Sequence, residues 1–155
     1  MPEMTPKALV SLLAGQDLSR RTGILEIPIE SLGIEDDIAV GLNAGHCDIC
    51  RWKVDQAQPG RTRLGLRWDG IVTDLESLMA DLSVPGYCVW ISSVDVLLAG
   101  IPHSDRLHFW EFMRLAFRPP RGLLMSIPDK APHILSSEER TLWVEYGRLS
   151  RWTLP

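Results

Sequence analysis

The sequence predicts an α/β fold, a single three-layer domain with a mostly parallel central sheet flanked by helices. Residues 87–102 form an apolar run, residues 103–118 an amphipathic run and residues 119–128 a second apolar run. A parallel strand covered by helices on both faces cannot alternate polar and apolar residues, so the two apolar runs predict buried strands joined by a crossover helix. From residue 63 onward, strand and helix patterns alternate, which favours right-handed crossovers.

Composition sets limits on the class of protein. The 155 residues suit one domain, and 45% hydrophobic with 23% charged residues is typical of a globular chain. The net charge of −4 argues against a broad nucleic-acid or membrane surface, since both need clustered Lys and Arg. The sequence contains no apolar run of membrane-spanning length and no secretory leader pattern. Three cysteines are too few for a disulfide framework, so we expect a cytoplasmic protein.

The N-terminal part is predicted to supply a helix and an edge strand within residues 1–35. Thr5 followed by Pro6 is a typical helix start, because the side chain caps the helix and the ring presets φ. Pro28 lacks a backbone donor and therefore indicates an edge strand or a strand end. Up to residue 56 the sequence predicts a helix at residues 6–15, a strand at 23–29, an acidic turn at 33–37, a second strand at 38–42 and a second helix at 47–56.

The C-terminal part contains the repeated strand and helix patterns. Ser136 with Glu139 three positions later is the signature of a capping box at a helix start. The predicted strands lie at residues 63–68, from Tyr87 onward and at residues 122–127. The predicted helices lie at residues 69–83, 104–118 and 136–149, with a loop at residues 56–62 and a tail at residues 150–155.

Residues 40–47 resemble an eroded Walker A motif. In a P-loop NTPase a strand leads into GxxxxGK[ST] and then a helix, so that amides wrap the phosphates while Lys and a hydroxyl serve the phosphates and Mg²⁺. Here Gly41 and Gly45 are present, His46 stands in place of Lys and Cys47 in place of Ser or Thr, and the pattern is one residue short. An imidazole is largely uncharged at neutral pH and a thiol is a poor Mg²⁺ ligand.

Residues 89–95 resemble the Walker B segment of AAA+ and related ATPases. In that segment four apolar residues precede Asp-Glu-x-Asp; here Ser92 and Ser93 replace the metal-binding acid and the base, and Asp95 is retained. The strand at residues 123–127 would then correspond to the sensor strand, with Ser126 near the usual polar position. The resemblance implies a nucleotide-binding core that has lost hydrolysis, since a transferring phosphoryl group would meet no counter-charge.

Two other chemistries remain open. Cys47 and Cys50 form a C-x-x-C pair, half of a zinc site, but the other candidate ligands are scattered and the flanks of a redox motif are missing. His103, Asp105 and His108 could join Ser92 or Ser93 in a hydrolase cluster, although no nucleophile turn supports it. Asp105 is better explained by the start of a helix.

Four residues are predicted to contact a partner: Trp68, Arg118, Arg121 and Trp152. Exposed Trp and Arg commonly anchor interfaces, and Trp152 lies in a predicted tail with no evident core role. A nucleic-acid groove is disfavoured by the acidic total.

The expected function is therefore that of a non-catalytic subunit or scaffold in a larger bacterial assembly, a pseudo-ATPase without cofactors. Its partner would be another protein, such as an active ATPase or other large complex subunit, and a homo-oligomer remains open. The alternative is a stand-alone binding module such as an immunity or antitoxin protein. A third reading is a Cys-dependent metal or redox protein.

Overall fold

The computed structural model describes residues 4–17, 21–31, 33–56, 67–81 and 83–153. Within these ranges, five strands form one all-parallel sheet in the order β2-β3-β4-β1-β5. The strands are β1 Thr22–Ile27, β2 Gly45–Asp48, β3 Cys88–Ser92, β4 Gly122–Pro128 and β5 Leu149–Arg151. The helices are α1 Pro6–Leu13, α2 Glu35–Leu42, α3 Ile49–Gln56, α4 Trp68–Ala80, α5 Val94–Ala99, α6 His103–Leu115 and α7 Ser137–Glu145.

The three central strands confirm the predicted fold class. Every residue of β1 and β3 is buried, as is every residue of β4 except the last. A strand buried on both faces reads as a continuous apolar run, which is the pattern that predicted this sheet. The prediction of a mostly parallel sheet flanked by helices is therefore confirmed.

Helices cover both faces of the sheet. Successive strand side chains point to opposite faces, so Leu25 packs against α1 and α2 while its neighbour Ile24 packs in the core formed with α3 to α7. The chain runs from β1 to β2 at the far edge and then returns through β3 and β4 to β5. The connection from β1 to β2 therefore crosses the sheet in the direction opposite to that of the later connections. Because crossovers are right-handed, the helix of the first connection lies on the opposite face from the helices of the later ones.

Two predicted helix starts are confirmed at atomic detail. The Ala8 amide donates to Thr5 Oγ1 at 3.2 Å at the start of α1. The Glu139 amide donates to Ser136 Oγ at 3.2 Å at the start of α7. Each bond satisfies one of the amides that a helix N-terminus leaves without a partner.

The prediction of a strand at residues 38–42 is wrong, because these residues belong to α2. Glu35, which was expected in a loop, begins that helix, and the acidic first turn favours a helix N-terminus. Asn43 ends the helix in a left-handed conformation with φ 58°. The edge position predicted for the first strand is also wrong, since β1 lies between β4 and β5 and Pro28 follows its end.

The C-terminal part differs from prediction at three places. Trp68 begins α4, so a strand does not extend to it, and residues 57–66 of the predicted loop and strand lie outside the described residues. The short helix α5 follows β3 where only an apolar run was predicted. Gly147, with φ 68°, follows the end of α7, and Leu149–Arg151 then forms β5 instead of helix and tail.

Among the described residues, no helix combines the length and the apolar character that crossing a bilayer requires.

Candidate functional site

A small crevice lies where the carboxyl ends of β1, β3 and β4 meet. Ligands of open parallel sheets bind at this edge, at the point where successive connections turn to opposite faces. The crevice has a volume of about 110 Å³. Its polar side chains are Glu35, Ser92, Ser93, Asp95 and Ser126. The structure therefore brings together the three Walker B candidates and the polar residue expected on the sensor strand.

His46 reaches the same edge from β2 and links two elements. Its Nε2 lies 2.8 Å from Ser92 Oγ, and its Nδ1 lies 2.6 Å from Asp36 Oδ1. The ring packs edge-on against Trp90, with centroids 5.4 Å apart. When the Asp36 carboxylate accepts a hydrogen bond from Nδ1, the Nε2 of a neutral ring accepts from the Ser92 hydroxyl. This is the order of contacts found in serine nucleophile triads.

Exposure limits what this serine, histidine and aspartate arrangement can do. Ser92 is only 4% exposed, so a substrate carbonyl would need the crevice to open before it met Oγ. The side chain of Asp36 is 87% exposed, and water competes for a contact of that kind. The sequence does not predict this contact, because its pattern places Asp36 in an acidic turn and His46 in a phosphate-binding turn.

Ser93 occupies the strand-to-helix junction after β3 in a left-handed conformation with φ 68°. Its hydroxyl donates to Asp48 Oδ2 at 2.9 Å. Asp48 Oδ1 accepts from the Cys50 amide at 2.9 Å and from the Arg51 amide at 3.2 Å, which caps α3. A non-glycine residue with positive φ is uncommon, and such residues cluster at functional and strained sites.

The Asp95 carboxyl lies half-buried at the start of α5. Burial raises its pKa, backbone hydrogen bonds from its own amide and that of Val96 oppose the shift, and Asp48 adds to it. None of the described residues that line the crevice is Lys or Arg. A phosphate placed there would meet carboxylates and hydroxyls instead of counter-charge.

The strand, loop and helix order expected at residues 40–47 is not present. Gly41 lies in α2, while Gly45, His46 and Cys47 lie in β2, so the chain passes from helix to strand. Gly45 packs against the backbone carbonyl of Pro85, which leaves no room for a side chain there. The assignment of a phosphate-binding turn to these residues is therefore wrong.

A second strand-to-helix junction reaches the crevice. It is the segment that joins β1 to α2, residues 28–34. The first turn of α2 supplies Glu35, Asp36 and Asp37 directly after it, and Glu30 lies within it. The sequence has no Lys or Arg from residue 28 to residue 42. All charged residues of the junction and of the first turn of α2 are therefore acidic.

The three cysteines are free thiols. Burial raises the pKa of Cys88 to about 12, and burial with the nearby Asp48 raises the pKa values of Cys47 and Cys50. Thiolates are the reactive and metal-binding form, so these environments disfavour both chemistries. Within the described part of the chain, no group of three or more His, Cys, Asp or Glu is placed to hold a metal ion.

The predicted hydrolase cluster on α6 lies at a different place from the crevice. Asp105 Oδ2 accepts from the Trp68 amide at 3.4 Å, and the His108 ring lies 6.1 Å from the Trp68 ring. Both side chains thus face α4. The hydroxyls of Ser92 and Ser93 contact His46 and Asp48 instead.

The four interface candidates occupy different surroundings. Trp68 lines an open groove of about 370 Å³ between α4 and α6, and Arg118 is exposed. Arg121 donates to carbonyls at the end of α4, including Met79 O at 3.0 Å. Trp152 is half-buried against the core beneath α1 and α2, and its backbone amide donates to Glu26 O at 2.8 Å.

Comparison with protein-family models, with curated proteins and with solved structures gives no match. The function must therefore be inferred from the chemistry of the chain's own residues.

Proposed function

We propose that this chain is a non-catalytic protein-interaction subunit of a larger bacterial assembly, built on a P-loop-like core that does not hydrolyse nucleotides. The observation that carries the proposal is the acidic junction between β1 and α2. A phosphate-binding loop needs a free helix N-terminus and a nearby Lys after the first strand. Here Glu35, Asp36 and Asp37 occupy that helix N-terminus, so a triphosphate would be repelled.

The carboxyl end of β3 supports the same conclusion. Ser92 and Ser93 stand where a Walker B segment has its acids, and their hydroxyls are engaged with His46 and Asp48. Neutral hydroxyls do not hold Mg²⁺ as carboxylates do. An eroded core of this kind retains its fold while losing the charges that phosphoryl transfer requires.

The binding surface that we propose is the groove between α4 and α6. Trp68 and Phe112 pack with ring centroids 5.6 Å apart along it, and Leu115 beside them is 50% exposed. Half-buried aromatic side chains beside an exposed aliphatic one favour a protein partner. An active ATPase subunit is the partner that the proposal expects.

Affinity capture from the native host tests the proposal. The wild-type chain is compared with Leu115→Arg, which places a charge in the groove, and with the matched variant Val40→Arg, whose side chain is 80% exposed on α2. We expect an ATPase or other large subunit to be retained by wild type and Val40→Arg and lost from Leu115→Arg. Recovery of a secreted toxin or nuclease would instead identify an immunity protein, and equal retention by both variants would contradict the groove.

A second function, serine-dependent acyl hydrolysis, is favoured by one observation, the contact of His46 with Ser92 and Asp36. In this reaction Ser92 Oγ attacks an acyl carbonyl and its proton passes to His46 Nε2, which then protonates the leaving group; water hydrolyses the acyl-serine. A fluorophosphonate probe separates the two functions. Labelling that disappears in both Ser92→Ala and His46→Gln would establish the hydrolase, whereas the non-catalytic proposal predicts an unlabelled protein.

A further inference from the structure

A second and larger cavity opens at the carboxyl edge of the sheet, on the face that α7 covers. It has a volume of about 480 Å³, which lies within the range of sites for small molecules. Glu26 of β1, Ile127 of β4 and Arg151 of β5 border it, together with the segment that leads from β4 into α7. It is separate from the acidic crevice described above, which β1 shares with β3 and β4.

The cavity has an excess of positive charge. Lys130, Arg140 and Arg151 line it, and Glu26 is the one carboxylate among its described lining residues. Glu26 is 4% exposed and is held by Arg140, whose Nε lies 3.0 Å from Oε2 and whose Nη2 lies 2.6 Å from Oε1. Because Arg140 is engaged with Glu26, Lys130 and Arg151 are the cations of this lining that a ligand can contact.

Two of these cations are available to a ligand. Arg151 Nη2 lies 3.7 Å from Glu26 Oε1, a loose contact, and its side chain is 46% exposed. Lys130 has no ion-pair partner among the described residues and lies in the turn after β4 with φ 57°. A non-glycine residue with positive φ persists where the surrounding structure holds it, as in ligand clamps. Lys130 lines the cavity from this turn.

We propose that this cavity binds a small organic phosphomonoester. A phosphomonoester carries a charge of about −1.5 to −2 at neutral pH, which suits the two positive charges of Lys130 and Arg151. Lys130 and Arg151 donate to the phosphate oxygens, while Arg140 remains on Glu26 and adds to the positive field. Ile127, Ala131, Pro132 and Leu135 form apolar walls that receive the organic part of the ligand. The location fits the rule that ligands of parallel sheets bind at the carboxyl ends of the strands.

Isothermal titration calorimetry with phenyl phosphate tests the proposal, because this probe carries one phosphate and one apolar ring. We expect saturable binding to the wild-type protein, at least about tenfold tighter than inorganic phosphate, since the ring adds apolar contact. The double variant Lys130→Gln with Arg151→Gln should bind at least about tenfold more weakly, because it loses two charge-assisted hydrogen bonds. The matched double variant Lys7→Gln with Arg51→Gln carries the same change in net charge at two exposed residues outside the cavity, and it should bind like wild type.

Three outcomes would overturn the proposal. One is the absence of saturable binding of phenyl phosphate to the wild-type protein. Another is equal weakening in the two double variants, which would show general attraction of anions instead of a site. The third is binding of phthalate, a dicarboxylate of similar charge, as tight as that of phenyl phosphate. Thermal unfolding of each variant, measured in parallel, establishes that lost binding is not lost folding.

Discussion

Two glycines show how closely individual residues fit this fold. An alanine methyl group at Gly122 would lie 2.6 Å from the Leu13 carbonyl oxygen, where α1 crosses β4. At Gly41, in α2, nothing lies within 4 Å of the same methyl group. We predict that Gly122→Ala lowers the free energy of unfolding by about 2–3 kcal/mol through overpacking. Gly41→Ala should raise it by up to about 1 kcal/mol, because Ala favours a helix.

Urea denaturation of the two variants measures both effects. Equal and small changes in the midpoint would contradict the packing of α1 over β4.

Asp95 gives a pH-dependent prediction. Its pKa lies above the ordinary value of 3.8 in the folded protein, mainly because of burial. Its contribution to stability is therefore complete below the unfolded pKa and is lost as the pH rises through the folded pKa. Asp95→Asn removes the cost of a partly buried carboxylate and should raise the free energy of unfolding at pH 7. The gain should be less than about 1 kcal/mol, because water screens a half-exposed group.

The measurement is denaturation at pH 7 and at pH 3.5, where the gain of Asp95→Asn should vanish. Asp37→Asn is the control, because its carboxylate in the first turn of α2 favours the helix dipole and its loss should slightly destabilise at pH 7. A destabilised Asp95→Asn at pH 7 would contradict the pKa assignment.

Sequence patterns located only part of the site. The resemblance to a Walker B segment predicts that Ser92, Ser93 and Asp95 share a site, and the structure places all three at one crevice. The sequence pattern places His46 where a phosphate-binding lysine would stand, but its contacts are to Ser92 and Asp36. Those contacts depend on the pairing of β2 with β3, which local spacing does not encode.

At the scale of elements, Arg121 closes the C-terminal end of α4. Its guanidinium donates to Met79 O at 3.0 Å and to Asp81 O at 3.3 Å, and it also contacts the carbonyls of Val84 and Gly86. The last turn of α4 has no basic residue of its own, so Arg121 supplies the cation that a helix C-terminus favours.

Replacing Arg121 should therefore loosen α4 from β4. We predict that Arg121→Gln lowers the free energy of unfolding by about 2 kcal/mol, because several carbonyls lose a charged donor. Arg118→Gln is the matched control, since that side chain is exposed and donates to the neighbouring Phe117 O, and it should change stability by less than about 0.5 kcal/mol. Chemical denaturation that ranks the two variants equally would contradict this role.

The elements whose type, helix or strand, the sequence predicts wrongly are short ones. The apolar residues 38–42 suit either a strand or a helix, because periodicity does not separate the two in so short a run. The acids before them decide in favour of α2 by stabilising a helix N-terminus. Leu149–Arg151 is a strand because β1 offers an edge on which it can pair, and this partner lies more than a hundred residues earlier in the chain.

At the scale of the whole molecule, the class of fold could be predicted because β1, β3 and β4 are buried on both faces. Burial of that kind leaves a continuous apolar run in the sequence. The order of the strands could not be predicted, because it depends on pairing between distant segments. That order places β1 next to β4, and thereby forms both the acidic crevice and the cationic cavity at one edge.

The central claim is that the acidic junction after β1 cannot hold a triphosphate. The most direct test is calorimetric titration of Mg·ATP into the Lys130→Gln with Arg151→Gln variant, in which the cationic cavity no longer attracts phosphates, with phosphate release measured in parallel on the wild-type protein. We predict no saturable heat and no release above the buffer blank. Saturable, Mg²⁺-dependent binding of ATP, with or without turnover, would contradict the account.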